Sequence, residues 1–285
     1  MFGEYYKEKL VLKDKTTVQE AAALSLFISH NSFLFAVSAN NFKNIIHLGH
    51  LEIDTNAATN QSFSEKIVSL LNNYQLAQKK FEKVIISVLN KDFTIVPEAY
   101  SNSSDLKEFL SFSSGVSGIK NPVAHTIKNV KFCYVFEQEL IQSLEKVFSN
   151  AIIKHAGAIS NELFFGNHSL LNTNLFLTIN DGFIEIAAKE KNDLLFYNVF
   201  NYENNEDVLY YLLFMMEQFN LNPLHIKLAI SGQIITDDSL ILSIKKYIKQ
   251  VSFVAHNPAI KLEGELQILP RHYYFTLLNQ HLCVS

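Results

Sequence analysis

The chain has 285 residues, 48% of them hydrophobic, and a formal net charge of -4. That length supports two domains of ordinary size with a core each, and the charge balance excludes a strongly nucleic-acid-binding surface, which needs clustered Lys and Arg. Arg271 is the single arginine, so the side chain best suited to bidentate phosphate recognition is nearly absent.

The first residues, Met1 to Lys9, are charged and polar, unlike a secretory leader. The most apolar run, residues 21–39, is interrupted by His30, Asn31 and several serines. No segment reaches the ~20 consecutive apolar residues of a membrane helix. Cys133 and Cys283 provide neither a disulfide framework nor metal-ligand spacing. The expectation is a cytoplasmic protein without a membrane span.

Leu24, Leu26 and Ile28 alternate as a strand does, Ser29 to Ser32 make a polar turn, and Phe33 to Val37 return as a second strand. Ile45 to Leu51 form a third strand. A polar loop over 54–62 leads into a helix whose Phe63, Ile67, Leu70, Leu71 and Tyr74 share one face. Val84 to Leu89 then reads as a strand covered on both sides. After residue 138, Leu140, Leu144, Val147 and Phe148 mark another helix, and Ala151 to His155 another strand.

The same order returns further on. Leu175 to Ile179, the turn Asn180–Asp181–Gly182 and Phe183 to Ala187 form a hairpin, with Leu194 to Phe200 as third strand. Glu206 and Asp207 sit where a helix N-terminus favours negative charge, and Leu209, Leu212, Leu213 and Met216 make its apolar stripe. Ile226 to Ile230 is the next strand. Leu240, Ile244, Tyr247 and Ile248 repeat the spacing of residues 140–148, and Ser252 to His256 parallels residues 151–155. The pattern βββαβαβ occurs twice, and only the first copy is interrupted, over about 90–138. That insertion holds a strand (Phe93 to Val96), a short helix (Asp105 to Phe112), a Ser/Gly loop and a strand (Val130 to Phe136), enough for a small subdomain.

Three meandering strands followed by helix, strand, helix, strand is the order of a ribonuclease H-like lobe, and two in tandem make the actin-like ATPase architecture. The chain resembles a family of uncharacterised bacterial proteins of that architecture. The resemblance rests on Asn174–Ile179, Leu195–Tyr202, Glu206–Tyr211, Leu228–Gly232 and the closing Pro270–Phe275. It implies an α/β fold of duplicated lobes, the first over 1–165 with its insertion, the second over 166–285 with a C-terminal helix.

Active members of that architecture place an Asp and small residues in the first hairpin turn of each lobe, where the carboxylate holds Mg²⁺ through water and Gly admits phosphate oxygens. Here the first turn, Ser29–His30–Asn31–Ser32, has no carboxylate and no Gly. The second has Asp181 and Gly182, which a tight hairpin turn also demands. The adenosine loop, a Gly pair in the family pattern, corresponds to Ser231–Gly232–Gln233, with one Gly. Asp181, Gly182 and Gly232 are therefore the candidate cofactor-binding residues if ATP/Mg²⁺ binds at all, and no catalytic or metal-ligating residue is assigned.

Other candidates are read as structural. Gly115 to Lys120 has the wrong spacing for a phosphate loop. His47 and His50 point to opposite faces of one strand. His155 and His256 occupy matching strand ends without a third ligand, and His272, His281 and Cys283 match no zinc spacing. Tyr210 and Tyr211, like Tyr273 and Tyr274, are adjacent on a helix, which brings one of each pair near the surface and favours a protein partner. The functional expectation is a non-catalytic scaffold or interaction protein with no required cofactor. The alternative is a nucleotide-binding protein or phosphotransferase with atypical phosphate loops.

Overall fold

A computed structural model describes residues 5–14, 21–57, 59–101, 106–115, 119 and 121–284. In chain order the elements are β1 (Tyr6–Lys13), β2 (Ala23–Ile28), β3 (Ser32–Ala39), β4 (Asn44–Ile53), α1 (Phe63–Asn73), β5 (Lys83–Val88), β6 (Phe93–Pro97), α2 (Leu106–Ser114), β7 (Val123–Ile127), β8 (Val130–Tyr134), α3 (Gln138–Val147), β9 (Ala151–His155) and α4 (Ala156–Gly166). They continue with β10 (Leu175–Asn180), β11 (Phe183–Glu190), β12 (Asp193–Asn201), α5 (Asn205–Gln218), β13 (Lys227–Gly232), α6 (Ser239–Tyr247), β14 (Gln250–Phe253), β15 (Lys261–Leu262) and α7 (Phe275–Asn279).

The two main sheets run β4-β3-β2-β5-β9 and β12-β11-β10-β13-β14. In each, a three-stranded antiparallel meander is followed by two parallel strands reached through helices, as the sequence pattern requires. The first sheet is extended by β1, which pairs antiparallel with β4 from Tyr6↔Ile53 to Lys13↔His47. Where β1 stops, β15 takes over at Asn44 and Ile45. The repeat did not foretell β1, because its Lys7, Glu8 and Lys9 suit an exposed edge and mask the alternation.

Burial follows from layering. Helices α1 and α3 cover one face of the first sheet, where Ile67, Leu70, Leu71 and Leu144 are fully buried against Leu26 and Ile86. Each such side chain contributes up to about 2 kcal/mol of transfer free energy. Ser62 caps α1 in a reciprocal capping box with Glu65, and Asn204 caps α5 in the same way with Asp207. The stripe of α5 is Val208, Leu212, Met215 and Met216, rotated from the expected one so that Leu209 and Leu213 are half-buried.

The inner faces of both sheets are also closed. Helix α4 lies between them, with Ile159, Leu163 and Phe164 in one cluster with Phe27 of β2, Phe176 of β10 and Phe275 of α7. Helix α7 packs on β2 and β3. The C-terminal helix, placed with the second lobe by chain order, thus sits against the first sheet, because its apolar residues complete that sheet's inner face. Serines in the alternating strands are consequently buried, and they bond to neighbouring strands: Ser38 Oγ donates to Ala23 O and Ser87 Oγ to Leu26 O.

The insertion forms its own sheet, β6-β8-β7, with α2 on one face. It contains the further strand β7, and its helix is described from Leu106 to Ser114. Asp105 and most of the Gly115 to Lys120 loop lie outside the described residues. Tyr273 and Tyr274 stand in the turn before α7 rather than on a helix, and Tyr274 adopts a left-handed φ of 54° as the helix N-cap.

Candidate functional site

The first hairpin turns of the two lobes meet directly. In the β2–β3 turn, Asn31 Oδ1 accepts from Ser29 Oγ at 2.9 Å, which fixes the amide plane. Asn31 Nδ2 then donates to the backbone oxygen of Asp181 at 2.9 Å. Phe27 and Phe183 stack beneath this bond with centroids 6.3 Å apart. Gly182 has φ +74°, and a Cβ there would stand 3.0 Å from Asn31 Nδ2. The polar turn without a carboxylate is therefore a clamp on its counterpart.

Asp181 extends the clamp. Its Oδ2 lies 3.3 Å from His50 Nε2 and 3.8 Å from Lys9 Nζ, while His50 Nδ1 is 3.3 Å from the Tyr274 hydroxyl. The His50 hydrogen bond, helped by Lys9, holds the Asp181 carboxyl below the usual carboxylate range despite burial. The order hydroxyl, imidazole, carboxylate is that of a catalytic triad, in which the carboxylate orients the imidazole. Here it ends in a buried tyrosine whose hydroxyl is pushed up, chiefly by burial. The chain of bonds ties β1, β4 and the turn before α7 to the second lobe.

Gly232 is fixed by the backbone. At φ +102°, a Cβ would fall 1.9 Å from Ile179 O, inside the neighbouring strand. Gly232 N–H donates to His272 O at 3.0 Å and Gln233 N–H to Ile179 O at 2.8 Å, so both amides are engaged in chain crossing. These residues do not fit Mg²⁺–ATP: the one carboxylate at the turns is paired with cationic and imidazole groups, Asn31 bridges the space between them, and the loop amides have partners.

The histidines have structural partners. His155 Nδ1 accepts from Gly157 N–H at 3.0 Å, capping α4, and Nε2 faces Asn90. Burial pulls it down to about 3, so it stays neutral. His256 bonds to Asn257 O. His47 packs edge-on to Phe35 in the first core, while His50 faces the second lobe. Between the lobes Glu185 accepts from Tyr197 Oη at 2.8 Å and Ser160 Oγ at 2.9 Å, and burial raises its carboxyl.

A cavity of about 500 Å³ opens beside the clamp. Ile28, Ser29 and His30 form its floor, Val88 to Lys91 at the end of β5 and Leu140 of α3 one wall, and Phe183, Val199 and Asn201 the other. Its size and apolar lining suit a ligand or an inserted side chain. Asp181, Gly182 and Gly232 do not line it. Sequence reasoning expected a cleft between the lobes at these turns but missed the partners of Asp181, since Asn31, His50 and Tyr274 come together only through folding. The one local hint was the pair of histidines, His47 and His50, in a mostly apolar strand.

The fold has solved counterparts. A Bacteroides thetaiotaomicron protein with actin-like ATPase fold and unknown function is 21% identical, with a TM-score of 0.67 over 87% of this chain and 95% of that one. The PilM–PilN type IV pilus biogenesis complex is 12% identical, with a TM-score of 0.60 over 92% of this chain and 98% of that one. Among curated proteins none matches. At these identities the likeness concerns the fold, which is that of actin-like ATPases. Residues 13–251 match the family described as "Protein of unknown function (DUF3822)", and the chain belongs to that family.

Proposed function

We propose that this chain is a non-catalytic interaction protein that keeps the two-lobed body of the actin-like ATPases and uses the inter-lobe region to hold a protein partner. The observation that carries this reading is the Asp181 carboxylate, committed to His50 and Lys9 in the place where an active relative would need it for metal. The apolar cavity beside it supports the same reading. So does the existence of a protein complex, PilM–PilN, built on a body of this fold. Among the described residues no helix is long and apolar enough to cross a membrane. The unpaired Cys133 and Cys283 suit a reducing compartment, and the cytoplasm is the proposed location.

Calorimetric titration with Mg-ATP and Mg-ADP tests this. The expected result is no heat and no thermal shift at millimolar nucleotide. Micromolar binding that disappears in Asp181→Ala would overturn the reading in favour of a nucleotide-binding protein.

A further inference from the structure

Strand β12 is one edge of the second sheet, β14 the other. Tyr202 N–H donates to Gly182 O at 3.1 Å, and β12 pairs antiparallel with β11 through Ile184↔Phe200 and Glu185↔Val199. Antiparallel alternation then turns the backbone groups of Phe200 and Asn198 toward β11 and those of Val199 and Asn201 outward. The Val199 amide bears this out, since it donates to the Asn198 side chain at 2.8 Å rather than to β11. At the other end of the strand the edge is closed: Leu194 N–H donates to Asn129 Oδ1 at 2.8 Å and Leu194 O accepts from Asn129 Nδ2 at 3.5 Å. The β7–β8 turn therefore covers one end, and at the other, among the described residues, no strand pairs with the outward backbone groups of Val199 and Asn201; the exposed Asn198 side chain holds the Val199 amide until an added strand replaces it, while the Val199 side chain is buried.

Both sides of this open stretch are furnished. Val199 and Asn201 line the inter-lobe cavity. On the opposite face Phe200 stacks on Tyr211 at 4.4 Å, Tyr211 meets Tyr210 at 5.4 Å, and Tyr210 stacks on Phe214 at 5.8 Å. Tyr210 is 60% exposed and Phe214 39%, so the row forms an open aromatic shelf. The charged residues lining the cavity are Lys91 and Glu137. Glu137 is the N-cap of α3, where the helix dipole compensates it. Lys91 is exposed and has no ion pair among the described residues.

We infer that β12 captures a short extended segment of a partner protein by strand addition, with alternate apolar side chains entering the cavity and lying on the shelf, and an acidic residue meeting Lys91. The inference rests on the interaction-protein reading and names the surface and the chemistry of the partner. Main-chain bonds to Val199 and Asn201 would supply affinity and the two flanking faces selectivity. Two outward residues, Val199 and Asn201, favour a short linear segment over the whole edge of a second copy.

The test is selection of a displayed random heptapeptide library on the full chain, followed by fluorescence polarisation with the resynthesised peptides. Selected sequences should alternate apolar residues and carry an acid, and bound peptide should slow amide exchange at Val199 and Asn201. Val199→Pro removes an outward amide that the β11 ladder does not use, a position where edge strands accept proline. It should weaken binding about tenfold or more. Lys91→Glu, which leaves the strand intact, should weaken the same peptides and keeps the test decisive if the proline variant does not fold. The inference falls if no peptide is selected, if Val199→Pro and Lys91→Glu bind as wild type, or if sedimentation shows a dimer that Val199→Pro dissolves. Peptide failure without nucleotide binding removes only this surface, whereas nucleotide binding lost in Asp181→Ala removes the interaction-protein reading itself.

Discussion

Replacing Gly232 by alanine separates a glycine kept for a ligand from one demanded by the chain. At φ +102° an L side chain is strained by roughly 1–3 kcal/mol. The new methyl would begin 1.9 Å from Ile179 O, a strand backbone atom that cannot swing aside. Relieving that overlap separates β13 from β10 at their last pair, Ile179↔Gly232. It also breaks the bonds from Gly232 N to His272 O and from Gln233 N to Ile179 O. Each lost bond costs about 1 kcal/mol. The total is roughly 3–5 kcal/mol, a large part of the 5–15 kcal/mol that usually stabilises a folded domain. Urea denaturation without any nucleotide is the assay, with Gly166→Ala as control because nothing lies within 4 Å of its Cβ. The control should hold or slightly raise stability. A Gly232→Ala protein with a wild-type midpoint would refute the close-approach argument and reopen the ligand reading of this glycine.

Two other outcomes are expected. His155 titrates near 6.5 when unfolded but at about 3 when folded, so the unfolded chain binds the extra proton and stability falls as pH drops below 6.5. By pH 5 this one residue removes about 2 kcal/mol. His155→Asn keeps an acceptor for Gly157 N–H, and its denaturation midpoint should vary less between pH 6.5 and 5; an unchanged slope would refute the assignment. Asn129→Ala should free the Leu194 end of the β12 edge and raise concentration-dependent association in sedimentation velocity, because unpaired edges recruit other strands. A strictly monomeric variant would mean that Asn129 guards nothing.

Hydrophobic spacing made most of the fold readable. Period-two runs located β2 to β4 and β10 to β12, and the stripes at three and four residues located α1, α3, α5 and α6. Helix α4 escaped because it is buried on nearly every side, Gly157, Ala158, Ser160 and Asn161 as well as Ile159, Leu163 and Phe164, so that small and polar residues in the core blur its apolar face. Strand β1 escaped through its edge charges. In the candidate site the turn residue Gly182 was legible from local geometry, whereas the close approach of Gly232 to Ile179 depends on strand pairing. What Asp181 touches was not legible either, since Asn31 is 150 residues away in sequence, and Tyr274, which meets His50, is 224 residues from it. No local pattern records contacts of that range. Tyr210 in α5 illustrates the intermediate case: adjacency on a helix predicted an exposed aromatic, but only the sheet order shows that it borders an open strand edge.

The C-terminal turn carries a consequence for how the molecule is made. Gln280, fully buried, donates from Nε2 to Leu26 O and Ile85 O, both at 3.2 Å, in the middle of the first sheet. These contacts span 254 and 195 residues. During synthesis the first lobe therefore emerges long before the segment that covers its inner face, and its strands wait with apolar surface uncovered. Such long-range closure slows folding and prolongs exposure to aggregation. The first lobe is accordingly a poor candidate for expression on its own, and the late closing step makes the tail near residue 280 a determinant of yield as much as of the final structure.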